Sequence, residues 1–186
     1  MKINTFIFLI ISIVLSSCTS IEYQVSARKD PFIKNIIAPS TFAFRTDTTN
    51  SDILVEKNIF LLISNTLSAM GWQMTPIIDA EYVISVKFNM TDKQSISSHE
   101  VNWYYDKETK KVIDGQQQTQ TDYYFERVVK ITVYKGTTSK EYIWSADCIS
   151  KGSTQDILFA AKYMIPYAMH KFPEQGIWNN KERVEK

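Results

Sequence analysis

The sequence predicts an α+β fold: a single mostly antiparallel sheet with two helices packed on one face, preceded by a signal peptide and tether. Three observations predict it. Apolar residues recur at helical spacing over 53–70 and again over 153–171. Residues 81–91 alternate strictly between apolar and polar. Two further strand-like runs, 123–134 and 140–150, flank the turn Lys135-Gly-Thr-Thr-Ser139.

The first seventeen residues read as a lipoprotein signal peptide. Lys2 supplies a positive start, and Phe6 to Leu15 is apolar except for Ser12, the length of a signal core and too short to span a bilayer. Leu15-Ser16-Ser17-Cys18 then has the form of a lipobox. Small residues fit a peptidase cleft, and the Cys18 thiol is the nucleophile that takes the diacylglyceryl group. Cleavage is expected between Ser17 and Cys18. Lipid attachment is expected at Cys18, with a fatty acid such as palmitate on the freed amine. Two or three chains anchor stably where one holds marginally, at about 0.8 kcal/mol per buried CH₂. Thr19 in place of Asp after the cysteine points to sorting to the outer membrane, with the domain facing the periplasm.

Residues 18–39 show no clean period and read as a lipidated N-terminus and tether, broken by Pro31 and Pro39. The α+β domain is expected over 40–173. Thr41-Phe-Ala-Phe-Arg45 is a short strand pattern. In the first helix Ile53, Ile59, Phe60, Ile63, Leu67 and Met70 share a face, and Gly71 ends it. Trp72–Thr75 is a short strand stopped by Pro76. In the strand over 81–91, Ile84, Val86, Phe88 and Met90 point one way and Ser85, Lys87, Asn89 and Thr91 the other.

Residues 95–121 read as a hairpin with two competing turns, Asp106–Lys110 and Asp114-Gly115. The second is the stronger two-residue signal and would set Tyr104 opposite Phe125 and Tyr105 opposite Tyr124. In either case Trp103-Tyr-Tyr105 and Tyr123-Tyr-Phe125 belong on neighbouring strands. Ser153 is a candidate N-cap for the last helix, whose core face is Ile157, Ala161, Met164, Ile165, Ala168 and Phe172. Phe159, Tyr163, Tyr167 and His170 fall on the opposite face. They form a ridge that a partner can use if it is exposed; a folded-back tail carrying Ile177 and Trp178 would cover it. Residues 174–186 read as a polar C-terminal tail.

The composition excludes several functions. Without Lys2 the chain has 20 Lys+Arg against 20 Asp+Glu. That neutral balance argues against nucleic acid and against electrostatic adhesion to anionic lipid. His99 and His170 stand apart from other ligand types, so no metal is expected. Five glycines leave no material for a phosphate loop, and no nucleophile elbow occurs. No cofactor is expected. Cys148 sits in a strand pattern and is expected to be a buried free thiol. Asp122 and Glu126 are the carboxylates best placed for chemistry on a strand face.

The chain resembles the bacterial lipoprotein family filed as domain of unknown function 4136. The resemblance rests on Thr41-Phe-Ala-Phe-Arg-Thr-Asp47, on Ile63-x₃-Leu67-x₃-Gly71-Trp72 and on Ala80-Glu-Tyr-Val-Ile-Ser-Val86. It continues in Lys130-Ile-Thr-Val-Tyr134, Tyr142-Ile-Trp-Ser-Ala146 and Lys171-Phe-Pro173. The family has Asp where this chain has Glu81 and Gly where it has Arg127, and residues 95–121 follow no family pattern. The resemblance implies an α+β lipoprotein domain without an assigned activity. The expected function is a non-catalytic binding or assembly module, held on the outer membrane by its lipid. Its expected partner is an envelope protein or a second copy. Two rival readings are an envelope enzyme acting on glycans through carboxylates and a carrier of a small hydrophobic ligand.

Overall fold

The computed structural model describes residues 19–33, 36, 38–47, 49, 52–91, 94–105, 112–139 and 141–184. The cleavage and attachment positions Ser17 and Cys18 lie outside them. The strands are β1 (Thr19–Lys29), β2 (Thr41–Phe44), β3 (Gln73–Met74), β4 (Tyr82–Met90), β5 (Gln94–Tyr105), β6 (Val112–Lys135), β7 (Tyr142–Gly152) and β8 (Gly176–Val184). The helices are α1 (Ile53–Ala69) and α2 (Ile157–Lys171), with a 3₁₀ turn at Ile77–Asp79. The eight strands form one sheet in the order β3-β2-β4-β6-β7-β1-β8, with β5 paired to β6. All pairs are antiparallel except β2 with β3 and β2 with β4. This is the expected α+β architecture.

Each helix starts where an aspartate caps it. Asp52 Oδ1 accepts from the Leu54 and Val55 amides at 2.8 and 3.1 Å. Asp156 Oδ1 accepts from those of Leu158 and Phe159 at 2.9 and 3.1 Å. Such a cap is worth about 1 kcal/mol. Asp156, not Ser153, is therefore the cap of α2, because its carboxylate reaches both free amides of the first turn. Gly71 ends α1 in the left-handed region, φ 87°.

The core lies between the helices and one sheet face. Ile59, Ile63 and Leu67 of α1 are buried there, with Ile157, Ala161, Met164, Ile165 and Ala168 of α2. They meet Val25 and Ala27 of β1, Ile84 and Val86 of β4, Val129, Ile131 and Val133 of β6, and Trp144, Ala146 and Cys148 of β7. Ile53, expected on the core face, is 62% exposed because it starts the first turn, beyond the reach of the sheet. At one end four aromatic rings close the layer. Trp72 packs edge-on against Tyr82 and Phe172, and Phe172 against Trp144, with centroids 5.1–5.6 Å apart. The Trp144 indole donates to the Glu174 carbonyl at 2.8 Å.

The expected tether and tail need correcting. Thr19–Lys29 is β1, paired to β7 from Glu22↔Lys151 to Lys29↔Trp144 and to β8 from Thr19↔Val184 to Ala27↔Gly176. Its residues Ile21, Tyr23, Val25 and Ala27 are buried and alternate with polar ones, which is why it belongs in the sheet. The tail forms β8 on its outer side. The sheet thus reaches beyond the expected 40–173 boundaries at both ends.

The hairpin is present, but Asp114-Gly115 is not its turn. β5 pairs with β6 from Gln94↔Tyr124 to Tyr105↔Val112, so the connection spans 106–111. Trp103–Tyr105 and Tyr123–Phe125 lie on neighbouring strands at opposite ends of the ribbon, and Tyr104 faces Asp114. The reason is edge occupancy. β4 takes one edge of β6 over 127–135 and β7 takes the other over 125–134. A turn at Asp114-Gly115 would drive β5 onto an edge that β4 already fills. β5 instead continues the line of β4 and pairs with the first half of β6. The result is a two-stranded arm beyond the sheet.

One buried contact joins β6, β7 and α2. Arg127 is 2% exposed. It donates from Nη2 to Ser150 Oγ at 3.1 Å and from Nη1 to the Asp156 carbonyl at 3.3 Å, while Nε finds no partner among the described residues. Gly152 leaves the space: a Cβ there would stand 2.2 Å from Arg127 Nη2. Gly152→Ala should therefore destabilise by about 1–3 kcal/mol, read as a lower urea midpoint at unchanged m-value. Most of that loss should vanish in an Arg127→Ser background; an equal loss in both backgrounds would assign it to the backbone instead.

Candidate functional site

On the sheet face away from the helices, charged side chains stand opposite one another across neighbouring strands. Lys130 meets Asp147 and Lys151 meets Glu126, each at 3.9 Å. Lys181 pairs with Glu22, and Gln24 donates to Asn179 at 2.9 Å. Each pair follows from direct opposition in the β6–β7 and β1–β8 ladders. Exposed pairs of this kind contribute about 0–1 kcal/mol, so they shape the surface more than they hold the fold.

Several of them line an open depression of about 840 Å³, bounded by Glu22, Gln24, Glu126, Ile149, Lys151, Asn179 and Lys181. Lys151 Nζ also lies 5.1 Å from the Tyr124 ring centroid, at the base of the arm. The depression offers alternating charges, two amides and a nearby aromatic ring. Glu126, singled out from the sequence, is one of its walls. Its proposed companion Asp122 has no described side chain. The second carboxylate here is Glu22, missed because β1 was read as tether. Glu22 and Glu126 each face a lysine, which suits recognition of a polar ligand. Among the described residues no three metal-ligating side chains come together.

The aromatic ridge of α2 is only partly free. Phe159, Tyr163 and Tyr167 are half-buried against the core and His170 is exposed. Tyr167 packs edge-on against Tyr23 at 5.6 Å, and Phe159 against Tyr163 at 6.0 Å. The tail does fold back: Trp178 pairs with Val25 and packs on the core, while Ile177 points away and is 68% exposed. Lys171 Nζ lies 5.8 Å from the Tyr167 ring and 5.5 Å from that of Trp178. His170 Nδ1 is 2.7 Å from the Pro166 carbonyl. His99 has no described side chain.

Beneath this ridge lies a polar network that no sequence pattern announced. The Tyr23 hydroxyl donates to Glu182 Oε1 at 2.7 Å and accepts from Asn180 Nδ2 at 2.7 Å. Asn180 also donates to Glu182 at 3.2 Å. Burial, reinforced by the Glu182 carboxylate, pushes the Tyr23 phenol well above its ordinary range. Cys148 is free and fully buried, and burial raises its thiol likewise.

A family model described as "Domain of unknown function (DUF4136)" matches residues 33–174. The chain belongs to that family. Among solved structures, the DUF4136 chain is similar to a PDZ domain protein from Parabacteroides distasonis, with a TM-score of 0.57 and 14% identity. That match covers 98% of this chain and 43% of the other, so this chain spans less than half of that protein. It is also similar to PelC dodecamers from Paraburkholderia phytofirmans in two crystal forms, with TM-scores of 0.45 and 0.41 and 16% identity. Those matches cover 79% of this chain and 94% of theirs. At these identities the likeness speaks to fold alone. No curated protein matches.

Two outcomes follow. Cys148 should resist a bulky maleimide in the folded protein and react on unfolding; rapid labelling of the native state would contradict its burial. Tyr23→Phe should cost about 1 kcal/mol at neutral pH through its lost hydrogen bonds. Because folding raises the phenol pKa, the stabilisation from Tyr23 is complete below about pH 10 and is lost as pH rises further. The gap between wild type and Tyr23→Phe, followed by urea unfolding, should narrow above that pH. A gap that widens there would refute the assigned direction.

Proposed function

We propose that this DUF4136 chain is a non-catalytic binding or assembly module of the bacterial envelope, anchored by lipid on Cys18 in the outer membrane and facing the periplasm. The observation that carries the reading is the arm of β5 and the first half of β6. It extends past the sheet, and neither outer edge of the ribbon has a strand partner among the described residues. A lone two-stranded ribbon is marginal in water. A structure that retains one gains by laying it on something else. The expected partner is an envelope protein or a second copy. The lipobox form of Leu15–Cys18 supports the anchor, and among the described residues no helix is long and apolar enough to cross a membrane.

A second reading is favoured by one observation: Glu22 and Glu126 line the same depression, as a glycan-directed site would require. Glu126→Gln separates the two. A module keeps its partner and its effect on the cell, whereas an enzyme loses turnover of envelope glycans.

The anchor is tested directly. Cys18→Ser should abolish fatty-acid labelling and leave uncleaved precursor. Normal maturation and labelling of that variant would remove the lipoprotein reading.

A further inference from the structure

We infer that the depression across β6, β7, β1 and β8 binds a neutral saccharide chain, held without turnover along a row of alternating charges. The inference rests on the binding-module reading and names a ligand class for its sheet face.

The row follows from the register. Glu126 stands opposite Lys151, Lys151 opposite Glu22, and Glu22 opposite Lys181. Four neighbouring strands thus carry carboxylate, ammonium, carboxylate and ammonium in one line, on the face away from the helices. Two residues further along each strand runs a second line: Val128, Ile149, Gln24 and Asn179. With strands about 4.8 Å apart, each line is about 14 Å long. The depression of about 840 Å³ lies over them, and every member but Val128 belongs to its lining.

These side chains have hydrogen-bonding capacity to spare. Lys151 and Glu126 stand 3.9 Å apart, an ion-pair distance too long for a hydrogen bond, so both keep donors and acceptors for a ligand. Gln24 Nε2 donates to Asn179 Oδ1 at 2.9 Å. That leaves Gln24 Oε1 as an acceptor and Asn179 Nδ2 as a donor, each without another partner among the described residues.

Charge decides the ligand class. The lining holds two carboxylates and two ammonium groups and no other charged side chain, so they cancel. An anionic or a cationic polymer would meet its own sign at every second strand. A sugar hydroxyl both donates and accepts, so it can pair with either sign. Neighbouring hydroxyls of one ring can therefore reach a carboxylate and the ammonium beside it. Val128 and Ile149, both half-buried, add an apolar strip next to the charged line, and the Tyr124 ring flanks Lys151 at its end. Apolar surface with a few placed polar groups suits a sugar, whose ring faces are C–H and whose rim is hydroxyl. A small zwitterion would use one Glu–Lys pair and leave the amides idle; the length of the two lines favours a chain.

Full-length protein, purified in a detergent without a sugar headgroup, is titrated with neutral tetrasaccharides of glucose, mannose, galactose and N-acetylglucosamine. Amide chemical shifts report the binding. At least one probe should bind and shift Gln24, Ile149, Lys151 and Asn179, with equal affinity at low and high salt. Gln24→Ala combined with Asn179→Ala, both on exposed side chains, should weaken that binding about tenfold. The shift map of the unsubstituted protein tests the site even if the double variant fails to fold. Failure of all four probes at millimolar concentration, or shifts confined to other strands, overturns the inference and leaves the module reading, which the arm carries, standing. Tighter binding of tetragalacturonate or of deacetylated chitotetraose, weakening with salt, assigns the depression to charge recognition and also overturns it. Cleavage of a bound tetrasaccharide overturns the inference and the module reading together.

Discussion

A β-strand has two hydrogen-bonding edges, and the layout of this protein follows from how β6 uses them. Its second half is filled on both sides, by β4 from Tyr82↔Lys135 to Met90↔Arg127 and by β7 from Phe125↔Gly152 to Tyr134↔Tyr142. That half carries the buried row Val129, Ile131 and Val133, so its register is fixed by burial. Once it is fixed, the chain after β4 can reach β6 only over Val112–Tyr124. Thr91 marks the handover: its amide and hydroxyl both engage the Glu126 carbonyl, and its hydroxyl accepts from the Glu126 amide. The arm is the consequence of a crowded central strand and needs no strong turn of its own.

The same constraint explains which parts of the fold were legible. Helices α1 and α2 and strand β4 are set by local period, and their buried residues follow the apolar faces written in the sequence, apart from Ile53 in the first turn of α1 and Met90 at the end of β4, both exposed. The hairpin was legible as a pairing but not in its turn. Asp114-Gly115 is a strong local signal, and local signals carry no information about which edge is already taken. β1 did carry a signal: Ile21, Tyr23, Val25 and Ala27 alternate with Glu22, Gln24, Ser26 and Arg28. Its place beside a lipobox and before Pro31 made it look like a tether. β8 carried almost none. Its helix-side residues after Trp178 are Asn180 and Glu182, and their burial is satisfied by the Tyr23 hydroxyl rather than by an apolar face.

Because the depression lies across β6, β7, β1 and β8, only Glu126 could be marked in advance. Lys151 is a single basic residue on a strand, and Glu22, Gln24, Asn179 and Lys181 sit in segments that carried no expected structure. The α2 ridge failed for the converse reason. Its residues are where helical period puts them, but β1 and β8 extend the sheet far enough for Tyr23 and Trp178 to pack beneath it. Arg127 shows a third kind of illegibility. A buried guanidinium is costly without partners, and nothing in a strand pattern says that Ser150, the Asp156 carbonyl and the bare backbone of Gly152 will converge on it.

The position of β1 has a physical consequence for any lipid carried on residue 18. A flexible tether would let the domain sample orientations, and a partner would have to select one at a cost in ordering entropy. Here hydrogen bonds from Thr19 to Lys29 fasten that strand between β7 and β8, so a group attached just before it would stay close to the sheet. The end of the sheet at which β1 starts is also the end from which the arm departs and on which the Glu22–Lys181 and Glu126–Lys151 pairs sit. Arm and depression therefore lie together at one end of the sheet. A partner that engages both sites would find them already arranged.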